Sequence, residues 1–191
     1  MRPERMNAFT DGVIAILITI LVLELRPPEG HQFADILDEK GQLLAYVLTF
    51  VFVATYWLNH HHLMQIVDRV DGRTLWANMF LLFCLSLTPV ATAWLGAAGV
   101  ESGPVAAYAV VLLACGVAYA LLTLALLALH ETDSQLAQAI GRDRKGKVSL
   151  ACYCVALVFA WIEPWVSVAL FIAVELLWFI PDRRVVRTLQ G

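Results

Sequence analysis

The chain has 191 residues, 60% of them hydrophobic and only 15% charged, with a mean hydropathy of +0.73 and a formal net charge of −3. A soluble domain carries about 25% charged and 45–50% apolar residues, so a chain this apolar cannot bury its side chains in one core and still show water a polar surface. This excludes a free-standing soluble domain and makes lipid part of the solvent, and the small acidic charge implies no affinity for nucleic acid.

In lipid the backbone must satisfy its own hydrogen bonds, so each apolar run is expected as a helix of about 20 residues. The first run covers 6–25, bounded within by Asp11 and Glu24. It is followed by Glu24, Arg26, Pro27 and Pro28 rather than by a small-residue cleavage site, so it reads as a retained span and not a signal peptide. The 12 residues between the two acids cover about 18 Å of helix, short of a hydrocarbon core of about 30 Å. Asp11 therefore lies either near membrane depth, where an ionisable residue marks function, or at the interface near its helix N-terminus, where a carboxylate is favoured. At 100° per residue, Ile16, Thr19 and Leu23 form one stripe with Gly12 below it, and Asp11 points about 140° away from Ile16. Such a stripe is more often packing or lipid-facing surface than the wall of a pore.

The second run, 43–67, places Trp57 and His61 one turn apart on one face. His60, His61 and His62 invite a metal reading, but neighbours in sequence diverge by about 100° and a helical metal pair needs spacing of three or four, so no metal is expected. The third run, 75–95, brings Asn78 to the level of Trp57 and His61. That placement allows a buried polar network among Arg5, Asp11, Trp57, His61 and Asn78, in which each partner would lower the desolvation cost of the others. The fourth run is 104–129, and the fifth and sixth, 148–162 and 165–180, are joined by a tight turn at Glu163 and Pro164. Glu175 is a stray acid in the last, read as hydrogen-bonded within the bundle, and the four cysteines read as small apolar residues, without disulfide or metal role.

Charge placement fixes the expected topology. Arg2, Arg5, Arg69, Arg73, Arg142, Arg144, Lys145, Lys147, Arg183, Arg184 and Arg187, eleven of the thirteen basic residues, fall in loops on the side of the N-terminus. Six helices with both ends in the cytoplasm satisfy the positive-inside rule, whereas an odd number would scramble the partition. The expectation is an all-α integral membrane protein of the cell membrane, a single six-helix domain over residues 1–191.

Arg5, Phe9, Thr10, Asp11, Gly12, Val13, Ala15 and Ile16, then Thr19 and the run from Leu21 to Leu25, resemble the signature of the TMEM175 family. Trp57, His61 and Asn78 fit the same pattern, as do the length and the six spans of its single-repeat prokaryotic members. The resemblance implies a potassium-permeable channel, a homotetramer with helix one of each subunit around a central pore. It puts the hydrophobic constriction on Ile16, a second apolar ring on Leu23 and the selectivity layer on Thr19. It also assigns Arg5, Phe9, Thr10, Asp11, Trp57, His61 and Asn78 to the polar network that holds helix one. One departure is visible: the family's usual serine before the aspartate is Thr10 here, which keeps the hydroxyl and adds a methyl. The TVGYG filter of ordinary potassium channels is absent, and no cofactor is implied. K⁺ is the expected permeant ion, with Na⁺ and H⁺ as alternatives. A proton path through Asp11 and His61 is the first rival. A solute carrier is less well supported, lacking an internal repeat, and an enzyme lacks any nucleophile motif such as G-x-S-x-G.

Overall fold

Among the described residues eight helices make up the architecture. The computed structural model describes residues 3–28, 30–32, 35–36, 38–131, 134–140 and 143–179, and in it α1 spans Glu4–Leu23, α2 Lys40–Gln65, α3 Gly72–Ser86, α4 Thr88–Ala98, α5 Ser102–Leu129, α6 Gln135–Ile140, α7 Arg144–Phe159 and α8 Pro164–Phe179. Among the described residues four stretches are long and apolar enough to cross a membrane: α1, α2, the continuous pair α3–α4 (Gly72–Ala98) and α5. At 16 residues each, α7 and α8 are shorter than the roughly 20 residues of a simple span. The expected end of the sixth helix at 180 lies outside the described residues, as do Arg2, Arg142, Arg183, Arg184 and Arg187.

Two features depart from the six simple runs. A short helix, α6, forms in the segment between α5 and α7, where only a loop was expected. The third run is broken at Leu87, and its cause is Pro89 in the first turn of α4. Proline has no N–H for the carbonyl of Leu85, four residues back, and its ring crowds that carbonyl. The Thr88 hydroxyl takes over, donating to the Leu85 carbonyl at 2.8 Å, so the freed backbone group is satisfied inside an apolar surrounding.

The centre of the bundle is α5, whose Ala109, Leu112, Cys115, Ala118, Leu122 and Leu126 are all buried, and α3, α4 and α7 pack around it. Cys84, Cys115, Cys152 and Cys154 are all free thiols. Lipid tails are as apolar as leucine, so close backbone approach and interhelical hydrogen bonds hold the helices together. Close approach is clearest between α2 and α4: a Cβ on Gly96 would stand 2.9 Å from the Cα of Gln42. Just beyond it Thr49 meets Thr92 at 2.7 Å and the Tyr108 hydroxyl at 2.9 Å, joining α2, α4 and α5. α7 and α8 form a hairpin, tied by Ser167 donating to the Ala156 carbonyl at 2.6 Å and by the Trp178 indole donating to Ser149 at 3.0 Å.

Polar contacts also identify which helix ends lie together. The Arg69 guanidinium donates to the Leu129 carbonyl at 3.0 Å, placing the α2–α3 loop against the C-terminal end of α5, where a cation suits the helix dipole. Asp71 caps α3, accepting from both the backbone N–H and the hydroxyl of Thr74 at 2.8 Å. Those two bonds hold its carboxyl below the usual carboxylate range.

Candidate functional site

α1 has two unlike faces. Met6, Thr10, Ile14, Leu17 and Leu21 recur every three or four residues and are buried against the other helices. On the opposite side Ile16 is 61% exposed and Leu23 80% exposed, with Thr19 exposed between them. Gly12, at the foot of this stripe, has nothing within 4 Å of where a Cβ would stand. The chain's own helices thus leave uncovered the stripe that helical phase picks out of the sequence. Along the axis its three levels lie about 4.5 Å and 6 Å apart.

The Thr19 hydroxyl donates to the Ile16 carbonyl of its own helix at 2.7 Å. Its hydrogen is thereby used, and the oxygen turns lone pairs outward. An oxygen presented this way is suited to a cation and offers nothing to an anion.

Polar anchors gather at the N-terminal half of α1. The Trp57 indole donates to Asp11 Oδ1 at 2.9 Å, and the His61 ring stacks on the Trp57 ring with centroids 5.4 Å apart and planes at 23°. His61 Nε2 lies 3.0 Å from Gln65 Nε2. A second chain runs deeper: Asn78 Nδ2 donates to Thr10 Oγ1 at 2.9 Å, and Asn78 Oδ1 lies 2.9 Å from His60 Nε2. Because the amide oxygen can only accept, His60 carries its proton on Nε2. Its Nδ1 is buried without a hydrogen-bond partner among the described residues.

Of the residues read as a polar network, the structure places Thr10, Asp11, Trp57 and Asn78 at this end of α1, in two separate chains. The histidine that reaches Asn78 is His60, whereas His61 serves the Trp57 side. Spacing from Trp57 selects His61, yet the buried positions of α2 include Phe52, Val53, His60, Leu63 and Met64. The apolar stripe running through 52, 53, 63 and 64 is the sequence signal that places His60 in the interior. Arg5 is exposed and, among the described residues, makes no hydrogen bond or ion pair within the chain; Phe9 is 52% exposed. Among the described residues no three His, Cys, Asp or Glu side chains converge as a metal site would require.

Residues 5–89 match the family model described as "Endosomal/lysosomal potassium channel TMEM175". A protein named as a potassium channel from Chryseobacterium sp. (strain P1-3) is 40% identical over 190 residues, covering 100% of this chain and 99% of that one. Another so named, from Chamaesiphon minutus, is 31% identical over 179 residues, 86% of this chain and 87% of its own length. Among solved structures, the crystal structure of a lysosomal potassium-selective channel TMEM175 homolog from Chamaesiphon minutus superimposes with a TM-score of 0.79. It is 27% identical, over 93% of this chain and 96% of that one.

Proposed function

This chain belongs to the TMEM175 family, and from that membership we propose that it is a potassium-permeable channel of the cell membrane, passing K⁺ passively through a central pore of a homotetramer. Each subunit is a single domain of six spans over residues 1–191, with α7 and α8 as a short pair and both ends in the cytoplasm. The described basic residues support that orientation: Arg5, Arg69, Arg73, Arg144, Lys145 and Lys147 flank the helix ends that the Arg69–Leu129 and Asp11–Trp57 bonds bring to one end of the bundle.

One observation carries the reading: the uncovered face of α1 bears Ile16, Thr19 and Leu23 in line. Four copies of that face around an axis would stack an apolar ring at Ile16, a hydroxyl ring at Thr19 and an apolar ring at Leu23. The Ile16 ring excludes water when narrow and admits hydrated ions when it widens. The outward lone pairs of Thr19 ease partial loss of the hydration shell. With hydroxyls rather than carbonyl rings, the preference for K⁺ over Na⁺ is modest.

Flux into liposomes containing the purified protein, under K⁺, Na⁺ and H⁺ gradients, tests the proposal. K⁺ flux should exceed Na⁺ flux, and Ile16→Asn, which makes the narrowest ring wettable, should raise it several-fold. Unchanged flux in that variant would remove Ile16 from the constriction. A proton path is the second reading, favoured by the Asp11–Trp57–His61 contact; proton flux without K⁺ flux would select it.

A further inference from the structure

We propose that the chain also holds an intramolecular binding site for a lipophilic amine, with the ammonium group seated on Glu175. A cavity of about 310 Å³ lies among α2, α5, α6, α7 and α8, within the size range of small-ligand pockets. Its walls are largely apolar, from Leu124, Leu127, Leu150, Tyr153 and Trp178, and its mouth is marked by Asp143 and Lys147. Glu175 also lines it, one turn before Trp178, whose indole donates to Ser149 across the α7–α8 contact. It is only 6% exposed. Among the described residues its one hydrogen-bond donor is the Thr55 hydroxyl, at a long 3.3 Å, and it forms no ion pair.

A carboxyl group has room for several donors, and leaving one buried with a single weak partner is costly. Among the described residues no further donor repays that cost: Ser167 and Trp178 make their bonds to α7, and Thr55 is the one donor that α2 supplies. A cationic donor entering the cavity would repay it. Charge decides the class of ligand. An amine that arrives neutral can take the carboxyl proton and leave an ammonium–carboxylate pair, while its apolar body lies against Leu124, Leu127 and Tyr153. A carboxylic acid of the same shape would find Lys147 only at the mouth, and would press an apolar tail or a second anion on Glu175. The site shares no residue with the uncovered face of α1 and does not rest on the channel reading.

The test is saturable binding of 4-(trifluoromethyl)benzylamine to the full chain in lipid nanodiscs, followed by fluorine NMR. Empty discs serve as control, and the matching alcohol and carboxylic acid as comparators. The amine should bind at one site per chain and at least about tenfold more tightly than the alcohol. Glu175→Gln should reduce that preference to less than about twofold, and Ala120→Phe, which fills the cavity and leaves Glu175 in place, should abolish saturable binding of both. Size-exclusion elution identifies any variant that has not folded; the cavity-filling variant decides the matter if Glu175→Gln is such a one. No saturable binding above empty discs, an acid bound as tightly as the amine, or a preference surviving Glu175→Gln would each overturn the proposal.

Discussion

Asn78→Ala is the substitution whose cost the structure defines most closely. Asn78 is 1% exposed and bridges two other buried groups, donating to Thr10 on α1 and accepting from His60 on α2. Truncation breaks both bonds and strands the His60 N–H and the Thr10 hydroxyl away from water. An interhelical hydrogen bond in a membrane protein contributes about 0.6 kcal/mol on average and up to about 1.7, so the pair predicts a loss of about 1–3 kcal/mol. Thr10→Val removes only the acceptor while keeping the branched shape. A double-mutant cycle over Thr10→Val and Asn78→Ala should then return a coupling of about 0.6–1.7 kcal/mol. Unfolding of the purified protein in mixed micelles by titration with dodecyl sulfate, followed by circular dichroism, supplies all four free energies. Additivity within about 0.3 kcal/mol would show that the Thr10–Asn78 bond does not hold α1, and the anchoring argument would fail.

Thr19→Val keeps the shape of the side chain and removes its outward lone pairs, so K⁺ flux should fall and the K⁺-to-Na⁺ ratio should approach one; a ratio equal to the parent's would separate Thr19 from selectivity. At Gly96 any side chain meets the α2 backbone at 2.9 Å, and the helices must part. Gly96→Leu is therefore expected to cost at least about 1–3 kcal/mol and to lower the yield of folded protein, while an unchanged melting temperature would refute the close packing of α2 on α4. For Asp71 the folded carboxyl titrates below its unfolded value of about 3.9, held down by the Thr74 N–H and hydroxyl. Its stabilisation is complete above that value and disappears as pH falls through the folded one. The melting-temperature gap between parent and Asp71→Ala should thus stay constant from pH 7 to 5 and shrink below about pH 4; a gap unaltered at pH 3 would show that the cap does not depend on ionisation.

Which runs form helices, and which face of α1 carries Ile16, Thr19 and Leu23, could be read from the sequence because both depend on local pattern alone. Apolar length sets the helices, and a rotation of 100° per residue sets the stripe. What could not be read depends on partners distant in the chain. Pro89 marks a possible break in any helix, but whether the chain bends there depends on Thr88 reaching the Leu85 carbonyl and on Thr92 meeting Thr49 across the bundle. The partner of His60 is of the same kind. The apolar stripe through 52, 53, 63 and 64 turns His60 inward, but that it meets Asn78 there depends on where α3 lies beside α2. Glu175 likewise gives no sequence signal of the cavity beside it, since its walls come from five helices.

The distribution of polar contacts along α1 bears on how a pore built from it would open. Both anchors, Asn78 to Thr10 and Trp57 to Asp11, lie within the first two turns of the helix. From Ile14 onward the buried residues are Ile14, Leu17 and Leu21, all apolar, and the Thr19 hydroxyl bonds only to its own helix. Apolar packing in a membrane is exchangeable for lipid or for other apolar packing at little cost, while the loss of a polar bond is not. The fixed end of α1 is therefore its first two turns, and the end free to tilt is the one that carries Ile16, Thr19 and Leu23. A tilt about residues 10 and 11 moves Leu23 more than Ile16, because displacement grows with distance from the pivot: about 18 Å against about 8 Å along the helix. In the proposed tetramer, widening at an Ile16 ring would then require a larger movement at Leu23, so the two apolar rings would open together, with the outer one moving further.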